Sequence, residues 1–157
     1  MNELLFRAYD TLTKKWIAKD FTILGEVTCF DIIGQYLRDN LCGKETTLAR
    51  LDDVIIQQWT GRYDDTKWDE LTEKERENWT VEGNMPSNWK GIRIYEGDII
   101  KSWSSHYLIE YDNENCAYIA RWIDDGGLTN SKNYFDNLSN KITVIGNDCF
   151  NPELLNQ

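Results

Sequence analysis

The residues that could do chemistry are few. His106 is the only histidine, so any serine or cysteine catalysis of the Ser-His-Asp or Cys-His kind would have to pass through it. Ser104 and Ser105 precede it, but neighbours in an extended chain point to opposite faces, and a triad requires convergence in space. We expect a surface or packed histidine. Three acidic pairs, Asp52-Asp53, Glu96/Asp98 and Asp124-Asp125, have the chemistry to hold Mg²⁺ or Mn²⁺. Each also sits where a turn is expected, and aspartate caps turns by accepting backbone amides. Gly97, between Glu96 and Asp98, is expected at positive φ. Gly43-Lys44 is no phosphate loop, because Glu45 stands where Ser or Thr should bind Mg²⁺ and Arg38 stands where the first Gly should be. Cys29, Cys42, Cys116 and Cys149 form no C-x-x-C pair, so the usual zinc spacing is absent. The expectation is no enzymatic activity, no catalytic residues, no metal and no cofactor.

Tryptophan is the other group with functional potential. Trp59 and Trp122 fall in strand patterns and are expected in the core. Trp68, Trp79 and Trp89 lie instead in a charged segment with eight acids and four bases over residues 64–90. They are either a satellite cluster that pins the segment or an exposed contact surface, and tryptophan is enriched at interface hot spots. These three are the candidate interaction surface. Aromatic strands could also stack single-stranded bases, but residues 91–157 carry five bases against ten acids.

The elements that must position these residues are mainly strands. Leu4–Tyr9 and Trp16–Ala18 read as a hairpin joined through Asp10–Lys15, Phe21–Phe30 as a β-rich stretch broken at Gly25, and Val54–Trp59 as a strand. Residues 31–50 can be read either way: Ile32, Ile33, Tyr36 and Leu37 fit a helical face, while Gly34 argues against it. Thr72-Glu73-Lys74-Glu75 is a capping box, predicting a short helix near 72–79. Strands follow at Ile92–Tyr95, Ile99-Ile100, Tyr107–Tyr111, Ala117–Trp122 and Lys141–Ile145, with a tight turn at Asp125-Gly126. Short strands with a turn at nearly every junction predict a small β-barrel.

The chain has 157 residues, enough for one domain that buries roughly 70% of its unfolded surface. Its net charge is −10: 12 bases and 17 acids up to residue 90, then 5 and 10. No basic half is concealed, and phosphate binding depends largely on Lys and Arg, so nucleic acid is not the expected partner. No apolar signal core or 18-residue apolar run occurs, so no membrane association is expected. The expected organisation is a β-rich region over 1–63, the tryptophan-bearing insertion over 64–90 and a barrel over 91–157, all in one compact unit.

Four segments in order resemble the YopX family of phage and prophage proteins. They are Phe6-Arg7-Ala8-Tyr9-Asp10, then Gln57-Gln58-Trp59-Thr60-Gly61, then Ile94-Tyr95-Glu96-Gly97-Asp98-Ile99-Ile100, and finally Val144-Ile145-Gly146-Asn147 with Asn151-Pro152-Glu153-Leu154-Leu155. The family pattern brings the second and third segments within about ten residues of each other. Here 33 residues separate Gly61 from Tyr95, and the insertion accounts for the departure. The resemblance implies an SH3-like barrel in the C-terminal part and a phage or prophage origin, hence the cytoplasm of a bacterial host. It implies no enzymatic activity. Thr60, Gly61, Tyr95, Glu96, Gly97, Asp98, Gly146 and Asn147 are expected to be structural turn residues of these motifs.

The combined expectation is a mainly β accessory protein acting by self-association, as a homo-oligomer, or by binding a host or phage protein. The alternatives are an acidic nucleic-acid mimic that occupies a host protein, and a carboxylate-metal enzyme.

Overall fold

A computed structural model describes residues 5–21, 30–33, 36–39, 46–81 and 83–156. The protein is mainly β, with one α-helix among the described residues. The strands are β1 (Phe6–Asp10), β2 (Lys15–Phe21), β3 (Phe30–Ile33), β4 (Tyr36–Asp39), β5 (Thr46–Arg50) and β6 (Val54–Tyr63). The helix α1 (Glu73–Val81) follows, and then β7 (Arg93–Tyr95), β8 (Asp98–Ser102), β9 (Ser105–Asp112), β10 (Ala117–Asp124), β11 (Gly127–Tyr134) and β12 (Ile142–Asn147). The chain divides into two compact units, one of residues 1–61 with 95–97 and one of residues 62–94 with 98–157.

In the first unit β1 pairs antiparallel with β2 and with β6, and β3–β4–β5 form a separate antiparallel sheet. Of the stretch from 31 to 50, ambiguous by periodicity, the described residues 31–33, 36–39 and 46–50 are extended. The expected break at Gly25 lies outside the described residues. The β1–β2 hairpin is closed by Asp10, whose carboxylate accepts the Thr13 hydroxyl at 2.7 Å and the Leu12 amide at 2.9 Å. These bonds stabilise its charged form and hold its pKa below the ordinary value. Arg7 organises this unit. Its guanidinium donates to Gln57 Oε1 at 2.8 and 3.0 Å and lies 4.4 Å from the ring centres of both Trp16 and Tyr95.

In the second unit β8 to β11 form an antiparallel meander, a 3₁₀ turn at Phe135–Asn137 follows, and β12 returns to pair with β8. This curled half-barrel is the small β-barrel-like arrangement expected for the C-terminal part. Alternation supplies two apolar faces. Ile94, Ile100, Ile109, Ala120, Phe135 and Ile142 fill one. Ile99, Leu108 and Ile123 form the other, covered by Leu154 and Leu155 from the 3₁₀ turn Pro152–Leu155. Arg62 donates to the carbonyls of Phe135 and Leu138 and stacks over the Phe135 ring, which fixes the turn before β12.

Candidate functional site

The insertion is built around its three tryptophans. Trp89 packs edge-to-face against Trp68, with ring centres 6.0 Å apart, and against Trp79 at 5.1 Å. Both inner indole N–H groups are satisfied locally: Trp89 Nε1 donates to the Thr66 carbonyl at 2.8 Å and Trp79 Nε1 to the Met85 carbonyl at 3.2 Å. The expected capping box is present. Glu75 Oε2 accepts the Thr72 hydroxyl at 2.7 Å and the Thr72 amide at 2.8 Å, and both bonds lower the Glu75 pKa. Arg76 reaches back to the carbonyls of Trp68 and Asp69. Helix α1 itself buries no side chain. All three tryptophans are half-buried, beside an open depression of about 370 Å³ lined in part by Trp68, Trp89, Lys67 and Lys90.

Asp64 is the residue that sequence reasoning missed. It is buried at the foot of the insertion, and its carboxylate accepts four hydrogen bonds. Oδ1 takes the amides of Thr66 and Ile92, and Oδ2 takes the Thr66 hydroxyl and the Val144 amide, all between 2.8 and 3.1 Å. Asp65 adds the Ile142 amide at 2.7 Å, and Lys141 reaches Glu70 at 3.2 Å. The partners of Asp64 lie as far as 80 residues away in sequence, so no local pattern reveals it.

The acidic pairs are mostly engaged as turn and packing groups. Asp52 and Asp53 occupy the 3₁₀ turn before β6, where the Asp53 carbonyl accepts the Thr11 amide. Gly97 has φ +82°, as its turn position demands. Asp98 is buried and accepts the Asn147 side-chain amide. Asp124 Oδ1 accepts the Gly126 amide at 2.8 Å. Among the described residues no group of three or more His, Cys, Asp or Glu side chains has the geometry to hold a metal ion.

His106 pairs across the sheet with Lys101 on one side and Ile123 on the other. It lines an open depression of about 360 Å³ with Ser104, Ser105, Trp122, Asp124 and Asp125. Trp122 corrects an expectation: it is 42% exposed rather than core. It lies on the same face as Ala120, opposite Tyr107, but at the end of the row beside the Asp125-Gly126 turn.

The family-motif residues converge in pairs. In the first unit Arg7 joins the opening segment to Gln57, while the Glu96 amide donates to the Gln58 carbonyl and Gly61 takes φ +86°. In the second unit Asp98 pairs with Asn147 across β8 and β12. Gly146 packs so closely on Leu154 and Asn151 that an added Cβ would approach to 2.8 Å.

No protein-family model matches the chain, and no curated protein does. Among solved structures the chain is similar to protein EF1440 from Enterococcus faecalis, at 22% identity over 97% of both chains and with a TM-score of 0.49. No helix among the described residues is long and apolar enough to cross a membrane.

Proposed function

We propose that this chain is a non-enzymatic accessory protein of a phage or prophage, and that it works by self-association through the tip of its insertion. The four motif segments carry the YopX-like setting, and their residues serve turns and packing. The observation that carries the contact role is the construction of residues 64–90. The tryptophans hold the segment from within, and α1, whose Trp79 is half-buried in that cluster, has no fully buried side chain. What it presents outward includes Val81, 85% exposed, and Met85, 61% exposed, next to Trp79. Two large exposed apolar side chains on a segment built around its own tryptophan cluster are the composition of an interface rather than of a solvated loop. The acidic-mimic reading gains little from this segment, because Lys67, Lys74, Arg76 and Lys90 are interspersed among its carboxylates.

Solution mass by light scattering at two protein concentrations tests the proposal. The expected result is a stable oligomer that the double variant Val81→Asp/Met85→Asp converts to monomer with unchanged circular dichroism. An oligomer indifferent to that variant, or a monomer at both concentrations, would overturn self-association through this tip.

A further inference from the structure

A second surface is built differently and does not depend on the insertion. Two of the carboxylates on the β8–β12 sheet have cations of their own. Glu110 meets Arg121 at 2.8 Å, and Asp112 meets Lys132 at 2.8 Å with Asn115 as a further partner. Asp124 and Asp125 differ. Asp124 engages only the Gly126 amide, Asp125 is exposed, and among the described residues no Lys, Arg or His comes within ion-pair distance of either. Beside them stands Trp122, 42% exposed, in one depression with Ser104, Ser105 and His106.

We infer that this depression receives an arginine side chain from an extended basic segment of a partner protein. A guanidinium is planar and weakly hydrated, so it stacks on an indole face while its edge donates to a carboxylate, and one group satisfies both halves of the site. An ammonium is a compact, strongly hydrated charge that uses the carboxylates but gains less from the ring. The protein's net charge of −10 adds long-range attraction for a basic segment. Ser104 and Ser105, which line the same depression, offer hydroxyls as further hydrogen-bond partners to the peptide backbone.

The test is a titration of the full chain with hexa-arginine peptide capped at both ends, following the indole Nε1–H signals by NMR. The Trp122 signal is assigned by its disappearance in Trp122→Phe. The expected result is a saturable shift at Trp122, weaker binding of capped hexalysine at equal salt, and a loss of about 3-fold in affinity in Trp122→Ala. Asp124→Asn/Asp125→Asn should lose about 5-fold, within the range of exposed ion pairs. That double variant keeps an oxygen acceptor for the Gly126 amide, so it reports on charge even if Trp122→Ala disturbs β10. Equal binding of hexalysine, shifts at Trp68, Trp79 and Trp89 in place of Trp122, or full affinity in the double asparagine variant would each overturn the inference.

Discussion

Asn147 donates its side-chain amide to Asp98 Oδ1 at 3.1 Å, with both side chains buried where β12 pairs with β8. The bond joins the first and last strands of the half-barrel meander, and the Asn147 carbonyl oxygen Oδ1 holds the Cys149 amide at 2.9 Å as the chain turns away. Truncating either partner removes a hydrogen bond from a buried polar group. Asp98→Ala and Asn147→Ala should each destabilise the protein by about 2–3 kcal/mol. Because they remove the same contact, the double variant should cost less than the sum of the two. Urea denaturation of the three variants checks this, and strict additivity would show that the pair is not coupled.

Gly91 cannot carry a side chain. Its φ is +110°, and an added Cβ would lie 2.1 Å from the Asp64 carbonyl oxygen, which is rigid backbone. Gly91→Ala should therefore cost about 3 kcal/mol or more, from positive-φ strain and steric displacement together. Gly83, at φ +81° with open space around it, should lose only the strain part, about 1 kcal/mol. Comparing the thermal midpoints of the two alanine variants separates steric from conformational cost.

How far these features could be read in advance depends on how local their causes are. The Thr72–Glu75 capping box, the turn at Gly97 and the Asp125-Gly126 hairpin are set by residues within four positions of one another, and all three form as read. Strand β11 escaped notice because Leu128-Thr129-Asn130-Ser131-Lys132-Asn133 is almost wholly exposed, so no apolar alternation marks it. Strands β3 and β4 are four residues each, too short for a period of two to stand out from helical spacing. Alternation placed Trp122 on the core-facing row of β10 but could not tell that it is exposed at the end of that row. The Asp64 hub and the Asp98–Asn147 pair depend on contacts spanning 28 to 80 residues. Such long-range relations are a property of the fold, and only the motif resemblance hinted that Asp98 and Asn147 matter together.

Acid should weaken the protein through Asp112. The Lys132 ammonium first, then the Asn115 side chain and the turn amides of Asn115 and Glu114, hold its pKa far below the ordinary aspartate value of 3.8. A carboxylate with a depressed folded pKa contributes stability that is complete above its unfolded value and lost as pH falls through the folded one. Asp10, lowered by the Thr13 hydroxyl and the Leu12 amide, acts in the same direction. The urea midpoint should decline below about pH 4, and Asp112→Asn should start lower at neutral pH and decline less steeply. An acid limb of unchanged slope in Asp112→Asn would place the titration elsewhere.

Trp103 sits at φ +56° in the two-residue turn between the paired Ser102 and Ser105, with its side chain 75% exposed. Ser104 is not in the positive-φ region. Positive φ at the first central residue alone is the arrangement that glycine fills in a type II′ turn. Trp103→Gly relieves about 1–2 kcal/mol of left-handed strain against about 0.5–1 kcal/mol of glycine entropy. The expected outcome is a small net gain and a thermal midpoint about 1–2 °C higher. A midpoint lowered by several degrees would mean that the exposed indole supports the turn through contacts of its own.

Trp89 is the keystone of the insertion because it alone touches both other indoles and also ties the segment's start, at the Thr66 carbonyl, to its end. A nine-residue helix with no buried side chain is not stable by itself in water. Each edge-to-face pair is worth about 0.5–1.5 kcal/mol beyond its burial, so Trp89→Ala removes most of what holds α1 in place. The β8–β12 core contains none of these rings. Trp89→Ala should therefore expose residues 70–85 to brief proteolysis and abolish amide protection in α1, while protection in β8, β9 and β10 persists. Trp89→Phe keeps the ring contacts and loses only the indole donor, so it should show a partial effect. If α1 stayed protected in Trp89→Ala, the three tryptophans would not be the internal support of the segment, and their part in any partner contact would have to be direct.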